Sequence, residues 1–176
     1  MSITTGGSAI TFPNSTTQSS ASKILQVVST NLNTTTSTTS TTPVTIAGLS
    51  ATITPLFSTS KILVLVQLVA GGNPVNALSY YILNRNTIPV GVGASASGYT
   101  SVSVNNQRSS YDTNSSVCVN WHYLDNPATT SALTYTVQWN TESGNTTYLN
   151  RTGADATGFT YTARGASNIT LMEVAA

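Results

Sequence analysis

Val117-Cys118-Val119-Asn120-Trp121-His122-Tyr123-Leu124-Asp125-Asn126-Pro127, then Leu133-Thr134-Tyr135-Thr136-Val137-Gln138-Trp139, is the pair of segments from which the fold class follows. In the first, Val117, Val119, Trp121 and Tyr123 take every second position; in the second, Leu133, Tyr135, Val137 and Trp139 do. A strand turns successive side chains to opposite faces, so each segment buries one face and shows the other to solvent. Between them, Asp125-Asn126-Pro127 reads as a turn, because the side-chain oxygens can hydrogen-bond the nearby backbone and proline presets φ.

The same signal recurs in both directions along the chain. Residues 23–30 are rich in Ile and Val, and Leu49, Ala51 and Ile53 alternate with Ser50, Thr52 and Thr54. Residues 61–70 carry apolar side chains on both faces, as expected of a central strand or of one at a subunit contact. Gly71-Gly72-Asn73-Pro74 is expected to break that strand. Residues 80–84 and 87–92 read as a hairpin around Arg85-Asn86, residues 93–98 as a loop and residues 99–104 as a short strand. Residues 146–151 and 168–174 complete the set. The Thr-rich segment 33–42 reads as a polar edge strand or a strand-loop, since β-branched threonine suits a pleated surface. About nine short strands with no helical period predict an all-β fold, an antiparallel β-sandwich of jelly-roll type.

Residues 1–22 are mostly Ser, Thr and Gly, with one apolar cluster at Ile10, Phe12 and Pro13. They read as a loose end or as an extended N-terminal arm that orders against a partner, leaving residues 23–176 as the sandwich domain. Within the arm, Ile10, Phe12 and Pro13 are the assembly candidates.

Composition narrows the function classes. Charged residues make up 6% of the chain, against roughly 25% in typical soluble proteins. Lys23, Lys61, Arg85, Arg108, Arg151 and Arg164 are scattered singly, so no basic patch for nucleic acid is expected. No apolar run is long enough to span a bilayer as a helix, and no membrane insertion is expected. A net charge of +1 favours association. Cys118 is the one cysteine, so no intrachain disulfide forms. Asn-x-Ser/Thr sequons at Asn14, Asn33, Asn114, Asn145, Asn150 and Asn168 are the by-product of a chain rich in Asn and Thr.

Catalytic chemistry is poorly supplied. Cys118, Asn120 and His122 share one strand face and have the residue types of papain-like proteases. Four strand steps separate Cys118 and His122 by ~13 Å, however, whereas a nucleophile and its base must approach to about 3 Å. The expectation is a small buried thiol, a surface or interface imidazole and no enzyme. One Cys and one His cannot supply a zinc site. The acids Asp112, Asp125, Glu142, Asp155 and Glu173 lie apart and read as turn or surface residues, so no metal and no cofactor are expected. Trp121, Trp139, Tyr123 and Tyr135 are in phase with core positions. Tyr99, Tyr111 and Tyr148, set among Ser, Asn and Gly, are the candidates for surface contact.

Several stretches resemble a β-domain found in structural proteins of tailed bacteriophages, above all at the distal ends of tail fibres. Ala9-Ile10-Thr11-Phe12-Pro13-Asn14-Ser15-Thr16-Thr17-Gln18 is similar to the Phe-Pro-Asp-Gly-Thr-Thr-Gln arm of that family. Residues 48–55 and 60–72 resemble its Gly-Leu-Ser-x-x-Ile-Thr-Pro element and the strand that follows. Tyr123-Leu124-Asp125-Asn126-Pro127 with Thr134-Tyr135-Thr136-Val137-Gln138 looks like its Leu-Asp-x-Pro turn and next strand, and residues 167–174 look like its last strand. The resemblance covers most of residues 9–174 and implies a non-catalytic homotrimer on the virion. Only about 22 residues precede the first strand, where a fibre carries a shaft. The expectation is therefore either a tail-fibre or receptor-binding tip attached to another virion protein, or a capsid decoration (cement) protein. The alternative is a carbohydrate-binding module for a host surface glycan.

Overall fold

The computed structural model of the chain describes residues 23–75, 77–98, 100–106, 113–155, 157 and 162–176, and the backbone of three short strands before them. The strands are β1 (Thr4–Gly6), β2 (Ala9–Thr11), β3 (Thr17–Gln18), β4 (Ile24–Leu32), β5 (Thr36–Thr38), β6 (Val44–Ile53) and β7 (Lys61–Asn73). They continue with β8 (Ser79–Arg85), β9 (Ile88–Val90), β10 (Val104–Asn106), β11 (Val117–Asp125), β12 (Leu133–Thr141), β13 (Thr146–Leu149) and β14 (Ser167–Val174). No helix occurs among the described residues.

Two antiparallel sheets pack face to face as a β-sandwich. One runs β6-β12-β8, with β9 and β10 sharing the far edge of β8. The other runs β4-β14-β7-β11, with β13 and then β5 continuing along the edge of β7 beyond β14. The arm is not fully extended: β1, β2 and β3 fold into a small antiparallel meander, paired with one another. As expected, residues 36–38 within the Thr-rich segment form an edge strand.

Alternation places the core. Ile62, Val64, Val66 and Leu68 of β7 and Ile169 and Leu171 of β14 face Tyr135, Val137 and Trp139 of β12, with Leu49, Tyr81 and Leu83 in the same cluster. Burying such side chains contributes roughly 1.5–3 kcal/mol each. Trp121 and Tyr123 close the open edge beside β11, the Trp121 ring lying 6.4 Å from that of Tyr81.

Three local expectations need correcting. Gly71 and Gly72 do not break β7, which runs on to Asn73. They are there for close approach: a Cβ on Gly71 would strike the Arg151 carbonyl oxygen, and one on Gly153 would strike that of Gly72. The hairpin turn is Asn86-Thr87, one residue later than expected, because Asn86 takes the left-handed φ of 55° that asparagine tolerates. The short strand expected at residues 99–104 is β10, which pairs with β8 and begins only at Val104. Ser103 breaks the ladder before it, the Leu83 N–H donating to its Oγ at 2.9 Å.

Candidate functional site

The sandwich has two chemically different ends, which β7 connects. At the Lys61 end, Val174 pairs with both Lys61 and Ile24, so Lys23 lies here. Asp125 pairs with Ile62 and binds Arg85, beside the hairpin turn that leads to Ile88. The loop tips at this end expose Leu56, Phe57 and Ile88. At the other end, Thr146 pairs with Asn73, and Thr147 hydrogen-bonds Ser79 at 2.6 Å. Tyr80, Asn140 and Glu142 therefore lie there, away from Lys23 and the apolar tips.

Two acids expected on the surface are buried instead, both at the apolar end. The Asp125 carboxylate accepts from Arg85 Nη1 at 2.9 Å through both oxygens and from the Tyr135 hydroxyl at 2.6 Å. Burial, and then the hydrogen bond to Asp125, push the Tyr135 phenol up, so it stays a donor. Glu173, at 0% exposure, accepts from Gln26 Nε2 at 2.6 Å and from the Leu56 N–H at 2.8 Å. Gln26 also donates to the Thr54 carbonyl at 2.7 Å. The loop carrying Leu56 and Phe57 is thus pinned by one carboxylate.

Burial alone would raise the Glu173 carboxyl. The hydrogen bonds from Gln26 and the Leu56 and Phe57 N–H groups, with the Ser60 hydroxyl acting in the same direction, outweigh it and hold the group below 4.5. A depressed carboxylate contributes stability that is fully present above the unfolded-state pKa and lost as pH falls through the folded value. Denaturant titrations from neutral pH down to about pH 3 should show that acid limb, flattened in Glu173→Gln. An unchanged limb in the variant would remove Glu173 from the acid response.

The solvent face of the four-stranded layer β4-β14-β7-β11 is ordered in rows. Val27, Met172, Leu63 and Leu124 are cross-strand partners and form an apolar row, its outer members 54% and 47% exposed. The next row is Ser29, Thr170, Leu65 and His122, and the third is Asn31, Asn168, Gln67 and Asn120. His122 is the one titratable side chain in these rows. A shallow groove of about 380 Å³ runs between Leu65, Gln67, Asn120, His122, Asn168 and Thr170.

Cys118 corrects the expected buried thiol: it is exposed, because it is out of phase with Val117, Val119 and Trp121. Its neighbour is Asn120, whose Nδ2 approaches Sγ at 3.4 Å, while His122 sits a further strand step away, next to Leu65. Tyr148 is half-buried, with the Arg151 guanidinium 3.8 Å over its ring, so one of its faces is already covered. Tyr99, Tyr111, Phe12 and Pro13 lie outside the described residues, and Ile10 falls on β2. Among the described residues, no three or more His, Cys, Asp or Glu side chains lie close enough to hold a metal, and no helix is long and apolar enough to cross a membrane.

Two further sites escaped the sequence reading. Asn150 is fully buried at the junction of β13 and β14, with a left-handed φ of 61°. Its Nδ2 donates to the Leu32 and Thr34 carbonyls at 2.8 and 2.9 Å, and its Oδ1 accepts from Ser167 Oγ at 2.6 Å. Its sequon cannot carry a glycan, because the amide is enclosed and both N–H groups are used. At the polar end, an open cleft of about 550 Å³ is bordered by Thr41, Tyr80, Thr100, Asn140, Glu142 and Ser143. Tyr80 stands there between its cross-strand partners Asn105 and Asn140.

A scan against protein-family models finds no match to this chain, and a search of curated proteins finds none.

Proposed function

We propose that the chain is a non-catalytic structural protein on the surface of a bacteriophage virion, a tail-fibre or receptor-binding tip or a capsid decoration protein, assembling as a homotrimer. The observation that carries this reading is the polarity of the sandwich. Lys23, where the arm joins the sandwich, and the apolar tips Leu56, Phe57 and Ile88 share one end, suited to attachment, and a polar cleft occupies the other, suited to outward contact. The strand order supports jelly-roll connectivity. Counting β4, β6, β7, β8, β10, β11, β12 and β14 as first to eighth, one sheet holds the first, eighth, third and sixth, and the other the second, seventh, fourth and fifth. Jelly rolls recur in viral capsid and lectin domains, an analogy of fold that lends support without fixing function. A non-catalytic role is favoured by the separation of Cys118 from His122 and by the structural bonds that occupy Asp125, Glu173 and Asp155.

Self-association is best accommodated by the Val27-Met172-Leu63-Leu124 row, where Val27 and Leu124 are exposed and no element among the described residues covers them. Light scattering at micromolar concentration should report three subunits. Val27→Lys with Leu124→Lys should yield a folded monomer, since surface substitutions cost within about 0.5 kcal/mol while buried unpaired lysines break a contact. Gold labelling of intact particles should mark the virion exterior. A wild-type monomer would remove the self-association, and particles without label would remove the virion assignment.

A further inference from the structure

We infer that the cleft at the polar end, bordered by Tyr80, Asn140 and Glu142, is a binding site for a neutral sugar. The inference gives the outward contact proposed above its ligand class, and it stands or fails separately from trimer formation. Three observations lead to it. Asn140 is 93% buried (7% exposed) at the cleft wall, and its Oδ1 has no hydrogen-bond partner. Its amide orientation is fixed, because Nδ2 donates to the Thr41 carbonyl at 3.2 Å, so the unpartnered atom is an acceptor. Buried polar groups are nearly always satisfied, and an acceptor without a partner in a side chain at the cleft wall calls for a donor.

The second observation is the kind of groups around that acceptor. Glu142 brings an exposed carboxylate, and Thr41, Thr100 and Ser143 bring hydroxyls that both donate and accept. Among the described lining residues there is no Lys or Arg, which disfavours phosphate, sulfate or an acidic sugar. A ring with several hydroxyls meets this set well, because each hydroxyl can give one hydrogen bond and take another. The third is Tyr80. It is half-buried on the outer face of β8, held at its position by Asn105 and Asn140 on either side, and supplies an apolar ring beside the polar groups. Few polar groups around an aromatic wall, in a volume of about 550 Å³, match the general form of a small-ligand site. The positions of the contributors are non-local: Thr41 precedes β6, Tyr80 opens β8 and Asn140 closes β12.

The test is a nuclear magnetic resonance titration of the full chain with glucose, galactose, mannose and N-acetylglucosamine, each at millimolar concentration. The expected result is that at least one sugar shifts the amide signals of Thr41, Thr100, Asn140 and Glu142, with other residues unmoved. Tyr80→Ala should abolish those shifts. Glu142→Gln, at an exposed position that does not threaten the fold, should weaken binding about tenfold, the loss of one hydrogen bond to a charged group. Light scattering on the same samples should report an unchanged subunit number, which separates ligand binding from assembly. No shifts with any of the four sugars, shifts located elsewhere, or binding unaffected by Glu142→Gln would overturn the inference. Preferential binding of a cationic amine such as methylammonium, run as a parallel titration, would overturn it as well.

Discussion

Asp125→Ala is expected to lower the free energy of unfolding by about 3–5 kcal/mol, the cost of removing one partner from a buried charged network. The loss has two parts. Tyr135 is 0% exposed, so its hydroxyl would remain buried without an acceptor, a penalty of roughly 1–3 kcal/mol. Arg85 would lose its carboxylate, but its side chain is 24% exposed and can turn partly to water, which makes this the smaller part. Tyr135→Phe tests the division. It removes the donor and leaves the Arg85–Asp125 pair intact, so it should cost about 1 kcal/mol, the net worth of an ordinary hydrogen bond. The double variant should then cost less than the sum, because the hydroxyl that Asp125→Ala strands is already gone. Thermal scans should follow: at about 2–4 °C per kcal/mol for a chain of this size, Asp125→Ala should fall by roughly 6–20 °C. A loss within 1 kcal/mol would mean that the network is solvated and contributes little to holding the two sheets together.

Asp125 also shows where the sequence was legible and where it was misread. Val117, Val119, Trp121 and Tyr123 announced the buried face of β11, and Asp125 continues that phase. The same holds for Glu173, two residues after Leu171. Periodicity pointed inward at both positions, while residue type pointed outward; the phase was right because each carboxylate finds its donors in another part of the chain. Arg85 is forty residues from Asp125 and Leu56 is 117 from Glu173, and no local pattern reveals such partners. Gly71-Gly72 was misread for a related reason. Glycine punctuates loops, but it also admits a second backbone, here that of residues 151–153, and the sequence alone does not distinguish the two. The Tyr80-Asn140 cleft depends on strand register between β8 and β12, which alternation within either strand leaves undetermined.

Asn150→Ala is expected to destabilise the protein by about 3–5 kcal/mol and to loosen one edge of the sheet before the rest. The side chain closes the junction where β13 gives way to β14 along β7, with the Asn150 N–H donating to the Val69 carbonyl at 2.7 Å. Removing the amide leaves the Leu32 and Thr34 carbonyls without those donors and the Ser167 hydroxyl without its acceptor. Each stranded group costs roughly 1–3 kcal/mol if it stays dry. Alanine adds about 1–2 kcal/mol because it tolerates left-handed φ poorly. Asn150→Gly separates these terms: it accepts the φ of 61° and loses only the hydrogen bonds, so it should be the milder variant. Asn150→Asp tests polarity at nearly constant volume. It keeps an acceptor for Ser167 but turns an oxygen toward two carbonyls, so it should be at least as damaging as alanine at neutral pH. Because Leu32 and Thr34 flank the connection to β5, hydrogen exchange should accelerate first at residues 36–38 and at their partners in β13, while the β7–β11 ladder keeps its protection. Uniform acceleration across both sheets would show that Asn150 supports the whole domain, and equal stability of all three variants would show that the junction is held by its backbone alone.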